Sequence, residues 1–236
     1  WYSELIKNLY NIIKEKNSNN KIIAGSTAII ANDNRDSIKF LNEISQRGVY
    51  ENSDSFSTHF YDFNASGDNN TFKMLLKEHS DFINQIGGFQ DINITEYGIS
   101  TGGAGRAEQE KAEKLIQQTN ILKKWNIENN AIYSYIDNKE ESSDREDNFG
   151  ILNYNYTPKP AYYAMKNYYQ NTNGSEYIGT INLAEGLETH VYNKDGKPKI
   201  ITWAKDNTKN ITIEYKDFTA TDLYGKEIQN QNGTLT

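Results

Sequence analysis

Four strand-like runs begin near residues 22, 55, 92 and 131, so they recur after 33, 37 and 39 residues, with helical periodicity between them. Strand and helix alternating at this period mean parallel βα units, because each helix must carry the chain back before the next parallel strand can start. Lys21-Ile22-Ile23-Ala24-Gly25 is a short apolar strand with a glycine exit. Such continuous apolar runs suit a parallel sheet covered on both faces. The other strands read as Ser55–Tyr61, Asp91–Gly98 and Ala131–Ile136. Helices are predicted over residues 3–16, 36–47, 71–86, 106–125 and 160–169, each with apolar side chains at i, i+3 and i+4 spacing. Pro160 opens the last of them, at a position where the missing N–H costs nothing.

Two architectures use such units. A (β/α)8 barrel spends about 31 residues per unit. A doubly wound sheet normally carries a glycine-rich turn after its first strand, and none follows residue 25 here. Gly102-Gly103-Ala104-Gly105 lacks both the Lys-Ser/Thr of a phosphate loop and dinucleotide-type glycine spacing, and reads as a flexible active-site loop. The fold class is therefore α/β, with barrel units over residues 1–170. After the linker-like Asn171–Ser175, short alternating runs at 187–192, 200–204, 211–215 and 219–224, with a turn at Asn193-Lys194-Asp195-Gly196, predict a small antiparallel β domain over residues 171–236.

The net charge of −7 argues against nucleic acid and anionic membrane surfaces as partners, since both need basic patches. The most apolar stretch, Ile22–Ala31, is half of what a membrane span needs. Residues 1–10 lack the basic start and apolar run of a signal peptide, and the chain opens inside a helix. The absence of cysteine removes disulfides, thiolate metal sites and cysteine nucleophiles. His59, His79 and His190 are too scattered for a zinc site, and the acidic run from Asp137 to Asp147 lacks the order of an EF-hand and reads as a solvated loop. No metal and no cofactor are expected.

In a βα barrel, chemistry sits at the C-terminal ends of the strands. The residues there are Ser26 and Thr27, His59 and Tyr61, Glu96, and Tyr135 and Asp137. Glu96 stands out, because an ionised carboxylate between an apolar run and Tyr97 is costly unless it is paired or used. A structural carboxylate is the bland alternative. His59 is more often a satisfied strand-end histidine than a base, and Trp203 of the β domain is more often core than a sugar platform.

Ile94-Thr95-Glu96-Tyr97-Gly98, followed by Ser100-Thr101, resembles the strand-seven nucleophile motif of clan A glycoside hydrolases, nearest to family 39-like β-xylosidases and related endo-glycosidases. Ser57-Thr58-His59-Phe60-Tyr61 resembles their strand-six segment. Phe149-Gly150-Ile151-Leu152 with Thr157-Pro158-Lys159-Pro160-Ala161-Tyr162-Tyr163-Ala164 resembles the approach to their last barrel helix. The resemblance implies strands five to eight of a (β/α)8 barrel followed by a β-sandwich accessory domain. It implies a retaining glycoside hydrolase acting on a β-linked oligo- or polysaccharide, with Glu96 as nucleophile. Tyr61 would hydrogen-bond Glu96, His59 would line the same subsite, Tyr135 would stack on a sugar ring and Asp137 would bind a hydroxyl.

The general acid/base Glu of that clan follows an Asn at the end of strand four. No Asn-Glu pair precedes the opening helix, so the acid/base is expected upstream of this chain, and the chain alone is expected to be inactive. The missing half-barrel or a second copy is then an expected partner, and polysaccharide substrates imply an extracellular or cell-surface site. The alternative is a non-catalytic carbohydrate-binding or interaction protein derived from such a barrel.

Overall fold

The structure is a computed structural model that describes residues 1–30, 35–61, 74, 77, 81, 85, 92–103, 106–205, 211–212, 218–228 and 234–235. Two compact units divide the chain: Trp1–Ile99 with Trp125–Ser134, and Ser100–Lys124 with Tyr135–Thr236. These units are drawn differently from a division at residue 170.

In the first unit, helix α1 (Tyr2–Lys16) precedes strand β1 (Ile23–Ile30), and helix α2 (Arg35–Gln46) precedes strand β2 (Ser55–Tyr61). Strands β3 (Ile92–Tyr97) and β4 (Asn130–Ile132) complete a parallel sheet in the order β1-β2-β3-β4. Ala24, Phe56 and Ile92 pair across three strands and share one face. That face joins Ile6 of α1 and Leu41 and Ile44 of α2 in one apolar core with Val49 and Tyr50. The expected helix over 71–86 lies largely outside the described residues.

Glycine 25 does not end its strand. Residues Gly25 and Thr27 pair with Ser57 and Thr58, so Ser26 is an extra residue in β1 and the strand continues to Ile30. Gly25 has φ +105°, and a Cβ there would lie 2.2 Å from the Phe56 ring. A bulge, rather than a strand end, is what the glycine serves. The expected strand 131–136 is also shorter. Its ladder ends at Ile132, Tyr133 N–H still reaches the Tyr97 carbonyl, and Ile136 bridges Leu152 in the other unit's fold.

In the second unit, helices α3 (Glu108–Lys124) and α4 (Pro160–Thr172) pack together through buried Ala112, Leu115, Ala161, Ala164 and Met165. An antiparallel sheet follows, made of β5 (Glu176–Ile181), β6 (Leu187–Lys194) and β7 (Lys197–Ala204). The β6–β7 turn is Asp195-Gly196, both at positive φ (54° and 75°), as a two-residue hairpin requires. Tyr192 of β6 ties this sheet to both helices: its hydroxyl donates to Asn120 Oδ1 at 2.8 Å and lies 3.0 Å from the Tyr168 hydroxyl. Short pairs β8 (Ile211–Thr212) with β11 (Thr234–Leu235), and β9 (Ala220–Thr221) with β10 (Glu227–Ile228), follow. The molecule is thus a mixed α/β protein with a parallel four-stranded sheet and an antiparallel sheet. Among the described residues, no helix is long and apolar enough to cross a membrane.

Candidate active site

The face of the parallel sheet opposite the apolar core is polar. In β2 the alternation puts Ser57, His59 and Tyr61 on it, two residues apart. In β3 strict alternation from Asn93 would bring Thr95 to this face and send Glu96 to the other. The register prevents that. Thr58 pairs with Ile94 but His59 pairs with Glu96, so Thr95 is an extra residue with no partner in β2. The β3–β4 pairing shows the same extra residue, with Ile94 and Tyr97 opposite Asn130 and Ile132. One residue of slip reverses every following side chain, so the bulge at Thr95 turns Glu96 onto the face of His59 and Tyr61.

The three side chains converge there. Tyr61 donates its hydroxyl hydrogen to Glu96 Oε2 at 2.6 Å. This length belongs to a charge-assisted O–H···O⁻ bond. His59 Nδ1 stands 3.3 Å from the same oxygen, and donates to it in the tautomer that carries hydrogen on Nδ1. Among the described residues nothing donates to Oε1. The Glu96 side chain is 36% exposed. Among the described residues one carboxylate oxygen is therefore anchored and the other has no donor, at the C-terminal end of a parallel strand. The Tyr61 ring is itself held edge-on by Tyr133, with centroids 6.3 Å apart. Beneath the site Asn93 donates to Ser55 Oγ at 2.9 Å and to the Phe56 carbonyl.

His59, Tyr61 and Glu96 meet in the first unit. Tyr135 and Asp137 belong to the second. Tyr135 is 63% exposed. Asp137 is buried, and both of its oxygens are engaged: Oδ2 with Lys159 Nζ at 2.5 Å, Oδ1 with the Gly150 N–H at 2.9 Å. The hydroxyl-binding role expected of Asp137 has to compete with these two bonds.

Around Asp137 lies a buried charge cluster that sequence reasoning missed. Lys159 also pairs with Glu108 at 3.1 Å, and Glu108 accepts from Thr101. Lys111 is fully buried and donates to the Asn148 and Gly150 carbonyls at 3.1 and 2.6 Å. Burial pulls its ammonium down to about 8, with the Lys159 charge adding to the effect. The missed signal was positional: Lys111 lies at core spacing from Leu115, Gln118 and Leu122 on α3. The glycines expected to form a flexible loop are tied down as far as they are described. Gly103 N–H donates to the Ser143 carbonyl, Gly102 N–H to Ser100 Oγ, and a Cβ on Gly102 would lie 2.3 Å from the Asp144 carbonyl oxygen. Ala104 and Gly105 lie outside the described residues.

No protein-family model and no curated protein matches the chain. Solved structures do. A family 39 glycoside hydrolase from the gut symbiont Bacteroides cellulosilyticus WH2 is similar over 99% of this chain and 51% of its own, with a TM-score of 0.75 and 17% identity. A glucosidase from Croceicoccus marinus is similar over 86% of this chain and 49% of its own, with a TM-score of 0.58 and 13% identity. The chain spans about half the length of each, and the likeness is one of fold: the fold is glycosidase-like.

Proposed function

We propose that this chain is the nucleophile-bearing half of a retaining glycoside hydrolase acting on a β-linked oligo- or polysaccharide. The observation that carries the reading is the asymmetric setting of Glu96, with Oε2 held by Tyr61 and no donor to Oε1 among the described residues. In a retaining mechanism the free oxygen attacks the anomeric carbon as the glycosidic C–O bond breaks, giving a glycosyl-enzyme. The leaving oxygen takes a proton from a second carboxyl group about 5–5.5 Å from the first, and that group then deprotonates the water that releases the sugar. Tyr61 fixes the rotamer of Glu96 through both steps. His59 lines the same subsite.

The same reading makes the parallel sheet strands five to eight of a (β/α)8 barrel, with the antiparallel strands as a β-sandwich accessory domain. The coverage of about half of the Bacteroides structure supports it. So does α1, where Leu5, Leu9 and Ile12 form a stripe at i, i+4 and i+7 that is left exposed. A preceding βα unit would cover that stripe. Four such units, roughly 125 residues, would supply the acid/base carboxyl.

The test is to trap the complete enzyme with a 2-deoxy-2-fluoro β-glycoside and map the label by peptide mass spectrometry. The label is expected on Glu96, and a label elsewhere would overturn the assignment. The 236-residue chain alone is expected to turn over no aryl β-glycoside; activity equal to that of the complete enzyme would refute the need for an outside acid/base.

A further inference from the structure

The segment from Leu152 to Pro158 is a tight hairpin that the active-site argument does not use. Leu152 bridges Pro158 antiparallel and Ile136 parallel. Asn153 N–H donates to the Thr157 carbonyl at 2.9 Å, and its side-chain amide donates to Thr157 Oγ1. Thr157 in turn donates twice to Asn155 Oδ1, from its N–H and from its hydroxyl. The tip is therefore a three-residue loop, Tyr154-Asn155-Tyr156, closed by Tyr156 N–H on the Asn153 carbonyl at 2.8 Å. The last residue of such a loop adopts the left-handed conformation, and glycine is the usual choice. Here Tyr156 holds that place at φ +66°.

The ring that accompanies this strained backbone buries little. Tyr156 is 71% exposed and Tyr154 is 50% exposed. On the paired stretch, Tyr135 accepts a hydrogen bond from Leu152 N–H through its carbonyl and also presents its ring to solvent. Residues 151–158 contain no charged side chain. A rigid tip, an aromatic kept where glycine would be relaxed, and no charge on the tip together favour a neutral partner with flat C–H faces over an ionic polymer.

We propose that Tyr154 and Tyr156, with Tyr135 on the adjoining stretch, form a stacking platform for pyranose rings of a neutral β-linked glycan. A β-linked pyranose with equatorial hydroxyls presents axial C–H bonds on its face, and these meet the negative face of an aromatic ring. Two tyrosines across one three-residue tip suit two sugars of one chain. The platform rests on the glycoside-directed reading above and adds a place where glycan is held without being cut.

Titration calorimetry of the 236-residue chain with cellohexaose, xylohexaose and laminarihexaose tests it. At least one hexaose is expected to bind. Tyr156→Gly is expected to weaken that binding about threefold to tenfold, while the thermal midpoint stays or rises because glycine relaxes the turn. Tyr154→Ala is expected to weaken it similarly, and Tyr154→Phe to restore it. Binding of none of the three sugars, or a change under threefold in both Tyr156→Gly and Tyr154→Ala, overturns the platform. Failure of the two readings is distinguishable: tyrosine-dependent binding with no label on Glu96 sinks the hydrolase and keeps the platform, whereas a labelled Glu96 with binding indifferent to these tyrosines sinks the platform alone.

Discussion

The Tyr61 hydroxyl and Glu96 Oε2 lie 2.6 Å apart on neighbouring parallel strands, on the far side of the register shift at Thr95. Neither residue alone makes a site. The bulge brings the carboxylate to the tyrosine's face, and the tyrosine then engages one of its two oxygens.

Tyr61→Phe keeps the edge-on contact with Tyr133 and removes the hydrogen bond. A hydrogen bond to a charged group contributes about 1.5–3 kcal/mol. On the hydrolase reading proposed above, the expected loss is therefore roughly tenfold to a hundredfold in kcat/KM of the complete enzyme, with a thermal midpoint lowered by several degrees. Unchanged kinetics would mean that Tyr61 does not orient the nucleophile.

Gly25→Ala tests the other bulge. The new Cβ meets the Phe56 ring and the Ser57 carbonyl at 2.2 and 2.5 Å, in a backbone conformation that disfavours side chains. Overpacking of this kind costs about 1–3 kcal/mol, and the positive φ adds to it. Denaturant unfolding should show a lower midpoint.

Lys111 predicts a pH dependence. Its folded value of about 8 lies below the 10.5 of an unfolded lysine. Between these values the unfolded chain binds more protons, so stability rises with pH through this window. From pH 7 to 9.5 the gain is of order 2 kcal/mol. Raised tyrosines such as Tyr177, pushed up to about 12, act in the opposite direction only above pH 10. Urea titrations at pH 7, 8, 9 and 9.5 should show the rise in wild type and a flatter profile in Lys111→Met.

Lys159→Met leaves Asp137 buried without its cation. Breaking one side of a buried pair costs about 3–5 kcal/mol. Adding Asp137→Asn should recover a large part of that loss. A double-mutant cycle with additive effects would show that the 2.5 Å pair carries no coupling.

The sequence was most legible where a residue pattern and a backbone pattern coincide. β2 was bounded at Ser55 and Tyr61 because its flanks are polar and its interior alternates. Glu96 was found because a carboxylate at a strand end needs a reason. Legibility failed where one residue type serves two ends. Gly25 read as a terminator because glycine ends strands more often than it makes bulges. Strand β5 was missed because most of its residues are exposed and it follows a linker-like Asn-Gly-Ser stretch. Lys111 and Lys159 carry no signal in the sequence, because lysine normally faces solvent, and only the fold shows that carbonyls and carboxylates receive them.

The sheet register has a consequence for how this protein tolerates change. β2 is regular, while β1 and β3 on either side of it each carry one residue more, Ser26 and Thr95, at the level of Thr58. Ser26 sits at φ +72° with its Oγ 3.0 Å from Ser57 Oγ, so identity counts there, but the number of residues is what sets the faces. If the bulge straightened with Thr95 kept, Thr95 would stand opposite His59 in place of the carboxylate, whereas removing the extra residue would keep Glu96 opposite His59 in a regular ladder. The face that Glu96 occupies is therefore specified by a count along the chain as much as by any side chain.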